Sequence, residues 1–163
     1  MSTNTNNGTE MFADSRVPTV EIIREFDARV ERVFRAHTEA ELITQWLGPR
    51  SVSMRVERYD AHTGGAYRYV LDAEDGTAHG FYGAFHEVRP TERIVQTFTY
   101  EGYPDGVSLE TMTFEDLGNR RTRLRSVSMV DSFEARDMML ASGMETGVVQ
   151  GYEKLDELLG MLS

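Results

Sequence analysis

The sequence contains no cysteine, and Lys154 is the only lysine among its 17 basic residues. Without cysteine the chain forms no disulfide and has no thiol nucleophile. This absence fits a reducing compartment, so we expect a cytoplasmic protein. The chain also lacks an apolar run long enough to span a bilayer, so no membrane association is expected. Because the net charge is −10, the basic surface that binds a phosphate backbone is missing, and no nucleic acid is expected as a partner.

Catalytic and metal-binding sequence patterns are missing too. No serine lies in a G-x-S-x-G context, and the TGG stretch at 63–65 lacks the lysine and following helix of a phosphate loop. His79 and His86 lie seven residues apart on one predicted strand, which places them on opposite faces. His37 and His62 have no partner at metal-ligand spacing. We therefore predict no catalytic residue, no metal and no cofactor.

Sequence periodicity divides the chain into a tail and one domain. Residues 1–17 are polar and low in complexity, which predicts a disordered N-terminal tail followed by a single domain over 18–163. Residues 19–26 (TVEIIREF) are rich in β-branched and apolar side chains and predict the first strand. Apolar residues at helical spacing within 27–38 and 39–47 predict two short helices.

Strands are predicted for most of the chain after these helices. Alternating apolar and polar side chains between residues 51 and 130 predict six strands. Turn signals such as Asp75-Gly76 join neighbouring strands in antiparallel order. Asp131-Ser132 can cap a last helix, and from Met138 onward apolar residues recur every three or four positions, which predicts one long amphipathic helix. The order indicates an α+β fold in which a curved antiparallel sheet of about seven strands is covered by the C-terminal helix.

Three glycines inside the predicted C-terminal helix need an explanation. Gly143, Gly147 and Gly151 are spaced four residues apart, and each glycine in a helix interior costs about 1 kcal/mol relative to alanine. Two interpretations account for this cost: close packing of the helix against the sheet, which we favour slightly, or space left for a ligand. Both can hold along one helix.

Several stretches of this sequence resemble a known family when they are taken together in order. The matching pieces are REFDA (24–28), VFRAHTEAELITQWLGP (33–49), DAHTGGAYRY (60–69), DGTAHGFYGAFHEVRPTERIVQTF (75–98), TMTFEDLGNRRTRL (111–124) and GMETGVVQGYEKLDELL (143–159). Over roughly residues 18–160 the chain resembles the Activator of Hsp90 ATPase homologue 1-like (AHSA1-like) family of the START-like, or SRPBCC, superfamily. Arg29 and Ala40 stand where the family usually has prolines, and Leu47 stands where it has a second tryptophan.

The resemblance implies a helix-grip (START-like, Bet v 1-like) fold whose sheet wraps around the long helix and leaves a cavity. Candidate lining residues are apolar, aromatic or glycine residues of the sheet and its covering helices: Trp46, Met54, Tyr67, Tyr69, Phe81, Phe85, Phe98, Met112, Phe114, Met139, Gly143, Met144, Gly147 and Val148. Candidate polar anchors for a ligand are Arg24, Arg68 and His79. For any one of these residues, an ordinary place in the core or on the surface is the favoured interpretation.

Three functions follow from this resemblance, in order of preference. The first is non-catalytic binding of a small hydrophobic or aromatic molecule. The second is a co-chaperone-like interaction module that acts on an Hsp90 homologue, although a fold does not carry a function by itself. The third is a cyclase- or hydrolase-type enzyme, which needs two titratable groups inside the cavity. A monomer and a homodimer both remain open.

Overall fold

Nine antiparallel strands and four helices make up the computed structural model, which describes residues 2–6 and 8–161. The strands are β1 (Ser2–Asn6), β2 (Thr9–Ala13), β3 (Thr19–Phe26), β4 (Val52–Tyr59), β5 (Ala66–Ala73), β6 (Ala78–Arg89), β7 (Arg93–Tyr100), β8 (Ser108–Gly118) and β9 (Arg121–Met129). The helices are α1 (Val30–Thr38), α2 (Ala40–Ile43), α3 (Phe133–Ala141) and α4 (Met144–Met161). The nine strands form one sheet in the order β1-β2-β3-β9-β8-β7-β6-β5-β4, which confirms the α+β helix-grip-like fold.

The N-terminal segment differs from the predicted disordered tail. Strands β3 to β9 are the seven that the sequence predicts, and β1 and β2 extend the sheet by two more. Strand β2 pairs with β3, and Met11 lies opposite Ile22 with only 7% of its surface exposed. The polar composition of this segment hid a short alternation in TEMFA that buries one large apolar side chain, Met11.

One face of the sheet, which we call the inner face, packs against the helices. In β3 the side chains of Val20, Ile22 and Phe26 alternate with more exposed neighbours and point to this face. Phe26 meets Tyr152 of α4 in an edge-to-face contact with ring centroids 5.5 Å apart. Leu155, one turn further along α4, is fully buried. The second half of α4 therefore closes over the β3 side of the sheet.

The C-terminal helix is broken in two, which corrects the prediction of one long helix. Gly143 has a positive φ of +88° and separates α3 from α4. Glycine adopts this left-handed conformation without a steric penalty, so it commonly follows the last residue of a helix. Gly143 is thus a helix terminator, and the cost of an interior helical glycine does not apply to it.

The other two glycines sit where α4 approaches the loop between α2 and β4. A Cβ atom on Gly151 would lie 3.2 Å from the carbonyl oxygen of Trp46, a tight contact with backbone. A Cβ atom on Gly147 would lie 3.5 Å from Cδ of Pro49, an ordinary contact. Close packing therefore explains Gly151, and its neighbour is this loop and not the sheet.

Candidate functional site

The inner face changes character along its length. Near β3 and the second half of α4 its side chains are fully buried, as Leu124 and Leu155 show. Further toward β4 the face combines buried rings, those of Tyr67, Tyr69 and Phe85, with apolar side chains that are only half-buried. We call this second part the half-buried region: Met54, Leu71, Phe81, Phe98 and Met112 of the sheet, with Met139, Met144 and Val148 of α3 and α4. Half-buried apolar side chains on two facing layers are typical of a surface that accepts a further apolar group.

Strand register assembles a row of aromatic rings in this region. Tyr69 lies opposite Phe81, which in turn lies opposite Tyr100, because β5, β6 and β7 are consecutive neighbours. Tyr67 and Tyr69 stack with centroids 6.0 Å apart, Tyr69 and Phe81 at 5.3 Å, and Phe81 and Phe98 at 5.4 Å. The four rings Tyr67, Tyr69, Phe81 and Phe98, which we call the aromatic row, form a continuous apolar wall across three strands.

A carboxylate lies on the same face, at the centre of the sheet. Gln96, Glu110 and Ser128 are cross-strand neighbours on β7, β8 and β9. The side-chain amide of Gln96 donates to Oε1 of Glu110 at 3.2 Å, and the hydroxyl of Ser128 donates to Oε2 at 3.2 Å. Burial raises the pKa of the Glu110 carboxyl, and these two hydrogen bonds oppose the rise only in part. Among the described residues, no arginine, lysine or histidine forms an ion pair with Glu110.

Two further polar groups stand beside this carboxylate. Ser108 precedes Glu110 by two residues on β8 and so shares its face. Its hydroxyl oxygen is buried and has no hydrogen-bond partner in the described part of the chain. The hydroxyl of Tyr67 donates to the backbone carbonyl of Thr97 at 2.6 Å and also receives a long hydrogen bond from Gln96 at 3.4 Å. We call the side chains of Tyr67, Gln96, Ser108, Glu110 and Ser128 the polar centre. Within it, the Glu110 carboxylate can accept further hydrogen bonds, and the Ser108 hydroxyl has no partner among the described residues.

The predicted lining residues fall into three groups. The structure brings Met54, Tyr67, Tyr69, Phe81, Phe98, Met112, Met139, Met144 and Val148 to the inner face or onto the helices packed against the core. Three others, Trp46, Phe85 and Phe114, are packed within the core at under 9% exposure, and Tyr67 and Tyr69 of the first group are buried to the same extent. The remaining two, Gly143 and Gly147, lie at the helix break and beside Pro49. Lining of a ligand site stays a prediction for the first group, and packing accounts for the other two.

The predicted polar anchors have other partners. Arg24 is buried and forms an ion pair with Asp156 of α4 at 2.5 Å. Arg68 lies on the outer face, where it pairs with Glu101 at 2.7 Å. His79 is half-buried, and its Nδ1 is 2.7 Å from the hydroxyl of Tyr100. None of the three pairs with Glu110, and the sequence analysis named neither this carboxylate nor Ser108.

A signal for Glu110 was nevertheless present in the sequence. In SLETMTF, the even-numbered positions carry Ser108, Glu110, Met112 and Phe114, so one charged residue interrupts the apolar face of a strand. An acid in such a position is either masked by a partner or functional. Its partner residues could not be found in the same way, because they lie on other strands.

Surface depressions lie elsewhere on the molecule. A depression of about 300 Å³ lies beside residues 50–53 and 72–74, and one of about 250 Å³ lies around Gly8, Arg24 and Arg121. Neither includes a predicted lining residue. Within residues 2–6 and 8–161, no group of three or more histidine, aspartate or glutamate side chains is placed to hold a metal ion. In the same part of the chain no helix is both long and apolar enough to cross a membrane.

Comparison with known proteins gives one family and many similar structures. The family model described as "Activator of Hsp90 ATPase homolog 1-like protein" matches residues 27–160. A crystal structure from Rhodobacter sphaeroides is 26% identical, with a TM-score of 0.82 and coverage of 99% of each chain. A solution structure from Arthrobacter aurescens is 26% identical, with a TM-score of 0.85, and covers 94% of this chain and 92% of that one. A protein from Chromobacterium violaceum is 28% identical, with a TM-score of 0.75, and covers 87% and 96% of the two chains. Curated protein sequences give no match.

Proposed function

The chain belongs to the Activator of Hsp90 ATPase homolog 1-like family, and from that premise we propose that its inner sheet face binds a small apolar or aromatic molecule without converting it. The observation that carries this proposal is the half-buried region. Apolar side chains of the sheet, such as Phe98 and Met112, and of the helices, such as Met144 and Val148, keep part of their surface exposed. Covering that surface with an apolar ligand is favourable.

The free energy gained by covering this apolar surface suits a small ligand. A molecule that removes about 200 Å² of apolar surface from water gains roughly 5 kcal/mol before the costs of association. Taken alone, this free energy corresponds to a Kd of roughly 0.2 mM, and the costs of association weaken it to the millimolar range unless polar contacts add to it. The four methionines of the region, Met54, Met112, Met139 and Met144, adapt their shape to different ligands.

Chemical conversion is not part of the proposal. Burial raises the pKa of the Tyr67 and Tyr69 hydroxyls, so both stay protonated and act as hydrogen-bond donors, not as bases. Glu110 is then the single proton acceptor of the polar centre. An acid–base mechanism of the cyclase or hydrolase type needs a second group that titrates near neutral pH.

Binding is tested by amide NMR titration of the full chain with toluene, naphthalene and indole. We expect shifts that converge on the half-buried region. Met112→Trp fills this region from the inner face, while Thr113→Trp places the same side chain on the outer face of the same strand. Loss of the shifts in Met112→Trp and their retention in Thr113→Trp is the expected result. If none of the compounds shifts these residues, or if Met112→Trp responds as the natural chain does, the proposal is wrong.

The alternative is a protein-interaction module that acts on an Hsp90 homologue. It rests on the description of the family. A purified Hsp90 homologue from the same host is the probe, and stimulation of its ATPase rate by this chain is the readout. If the rate is unchanged and no complex is recovered, this alternative is excluded.

A further inference from the structure

Among the residues that the structure describes, Glu110 has no ion-pair partner, whereas the other charged side chain on the inner face of the sheet has one. Arg24, which also lies on the inner face, is neutralised by Asp156 at 2.5 Å. On the outer face Arg68 bridges Glu57 and Glu101. Within residues 2–6 and 8–161, Glu110 receives two hydrogen bonds, both from neutral groups and each 3.2 Å long, whereas charge-assisted hydrogen bonds are about 2.7–2.9 Å. A carboxylate held on an apolar face by two long neutral hydrogen bonds is poorly compensated.

The carboxylate also lies among aromatic rings. Its charge is close enough to Tyr59, Tyr67, Tyr69 and Tyr152 to contribute to raising the pKa of each hydroxyl. The aromatic row continues from Tyr67 and Tyr69 to Phe81 and Phe98. Aromatic faces attract organic cations through the ring quadrupole, and the attraction grows when water is excluded.

A second polar group near Glu110 has no partner. Ser108 is 5% exposed, and its hydroxyl oxygen makes no hydrogen bond to any residue that the structure describes. It lies two residues before Glu110 on the same face of β8. A buried hydroxyl without a partner costs about 1–3 kcal/mol, and a ligand N–H group that binds there removes this cost.

We propose that the natural ligand of the inner face is a small organic amine, whose protonated nitrogen pairs with Glu110 and Ser108 and whose carbon skeleton lies on the aromatic row. This inference rests on the proposed function and adds the chemical class of the ligand. An anionic ligand is disfavoured by repulsion from the ionised Glu110, and a neutral alcohol forms a hydrogen bond without a charge pair. The net charge of −10 raises the local concentration of cations over that of anions.

The test compares three probes that share one apolar body: 2-phenylethylamine, 2-phenylethanol and 3-phenylpropionate. Dissociation constants are measured by NMR titration of the full chain at pH 7. We expect the amine to bind at least about tenfold more tightly than the alcohol, and the carboxylate to bind most weakly. Because this series uses the natural chain, its outcome does not depend on the folding of any variant.

A pair of variants then assigns the preference to one residue. Glu110→Gln keeps the size and the hydrogen-bonding capacity of the side chain but removes its charge, so we expect the preference for the amine to disappear. Glu115→Gln makes the same change on the exposed face of the same strand, and we expect the preference to be kept. Ser108→Ala should weaken the amine more than the alcohol.

The outcomes separate this inference from the function on which it rests. If the alcohol binds as tightly as the amine and shifts the half-buried region, binding stands and the amine is overturned. The same conclusion follows if 3-phenylpropionate binds best, or if Glu110→Gln keeps the full preference. If none of the three probes binds, the amine and the binding function are both overturned.

Discussion

Lowering the pH from 7 to 5 should destabilise this protein through one buried histidine, His37. The ring is 4% exposed and lies against Trp46 and Phe114, with centroids 4.8 and 5.2 Å away. Its Nδ1 donates to the backbone carbonyl of Val33 at 2.7 Å, which fixes the neutral ring with its proton on Nδ1. Burial lowers the pKa of His37 to about 4, and the hydrogen bond opposes this only in part.

The direction of the stability change follows from the pKa values of His37 in the unfolded and the folded chain. In the unfolded chain His37 takes up a proton near its ordinary pKa of about 6.5, whereas in the folded chain it does so only near pH 4. Between these values the unfolded state binds more protons, so the free energy of unfolding falls as the pH falls. The loss is about 2 kcal/mol between pH 7 and pH 5, and about 3 kcal/mol by pH 4.

Urea unfolding followed by Trp46 fluorescence and by circular dichroism at pH 7, 6 and 5 measures this loss. His37→Asn keeps a side-chain donor for the carbonyl of Val33 but does not titrate. It should be less stable than the natural chain at pH 7, and its deficit should shrink by about 2 kcal/mol at pH 5. His62 is exposed, and His62→Asn serves as the matched control with an unchanged pH profile. A deficit for His37→Asn that stays constant from pH 7 to pH 5 would refute the reasoning.

Two further predictions concern α4 and the polar centre. Gly160→Ala adds a Cβ that meets nothing within 4 Å and should stabilise the chain by about 0.5 kcal/mol, whereas Gly151→Ala presses on the Trp46 carbonyl at 3.2 Å and should bring no gain. If both variants raise the thermal unfolding temperature equally, α4 moves away from the loop without cost to make room for the added Cβ. Because the folded-state pKa of Glu110 is raised, its ionisation costs stability as the pH rises from its ordinary pKa through the folded value. In urea unfolding, the free energy of unfolding of Glu110→Gln should therefore rise relative to that of the natural chain as the pH increases from 4 to 7. A difference that stays constant with pH would contradict the burial of Glu110.

Local sequence signals identified most of the elements because they act over short distances. The alternation in TVEIIREF predicts β3, and it matches the burial of Val20, Ile22 and Phe26. Tight-turn residues such as Asp75-Gly76 placed β5 beside β6. The same local view missed the helix break, since Gly143 fits the apolar spacing of one long helix and only its backbone angle separates α3 from α4. It also missed β2, whose burial depends on pairing with β3.

The sequence predicted the apolar and aromatic residues of the candidate site but not which charged residues stay without an ion-pair partner. The sequence placed aromatic and methionine residues such as Tyr69, Phe81 and Met112 on the sheet, and the register set them on one face. It named Arg24 and Arg68 as anchors, but the structure gives each an acidic partner far away in the sequence. Which charges cancel each other depends on contacts between distant segments, and no local pattern contains that information.

The sequence by itself determined the α+β class, the seven strands β3 to β9 with their antiparallel order, the short helices and the family, because periodicity, turn chemistry and motif order are written along the chain. Only the tertiary structure decided that Gln96, Glu110 and Ser128 meet across three strands. It alone also showed that Ser108 stays without a partner among the described residues, and that Gly151 faces a loop and not the sheet. The physical reason is that strand register and helix approach are set by burial summed over the whole core, to which each residue contributes little.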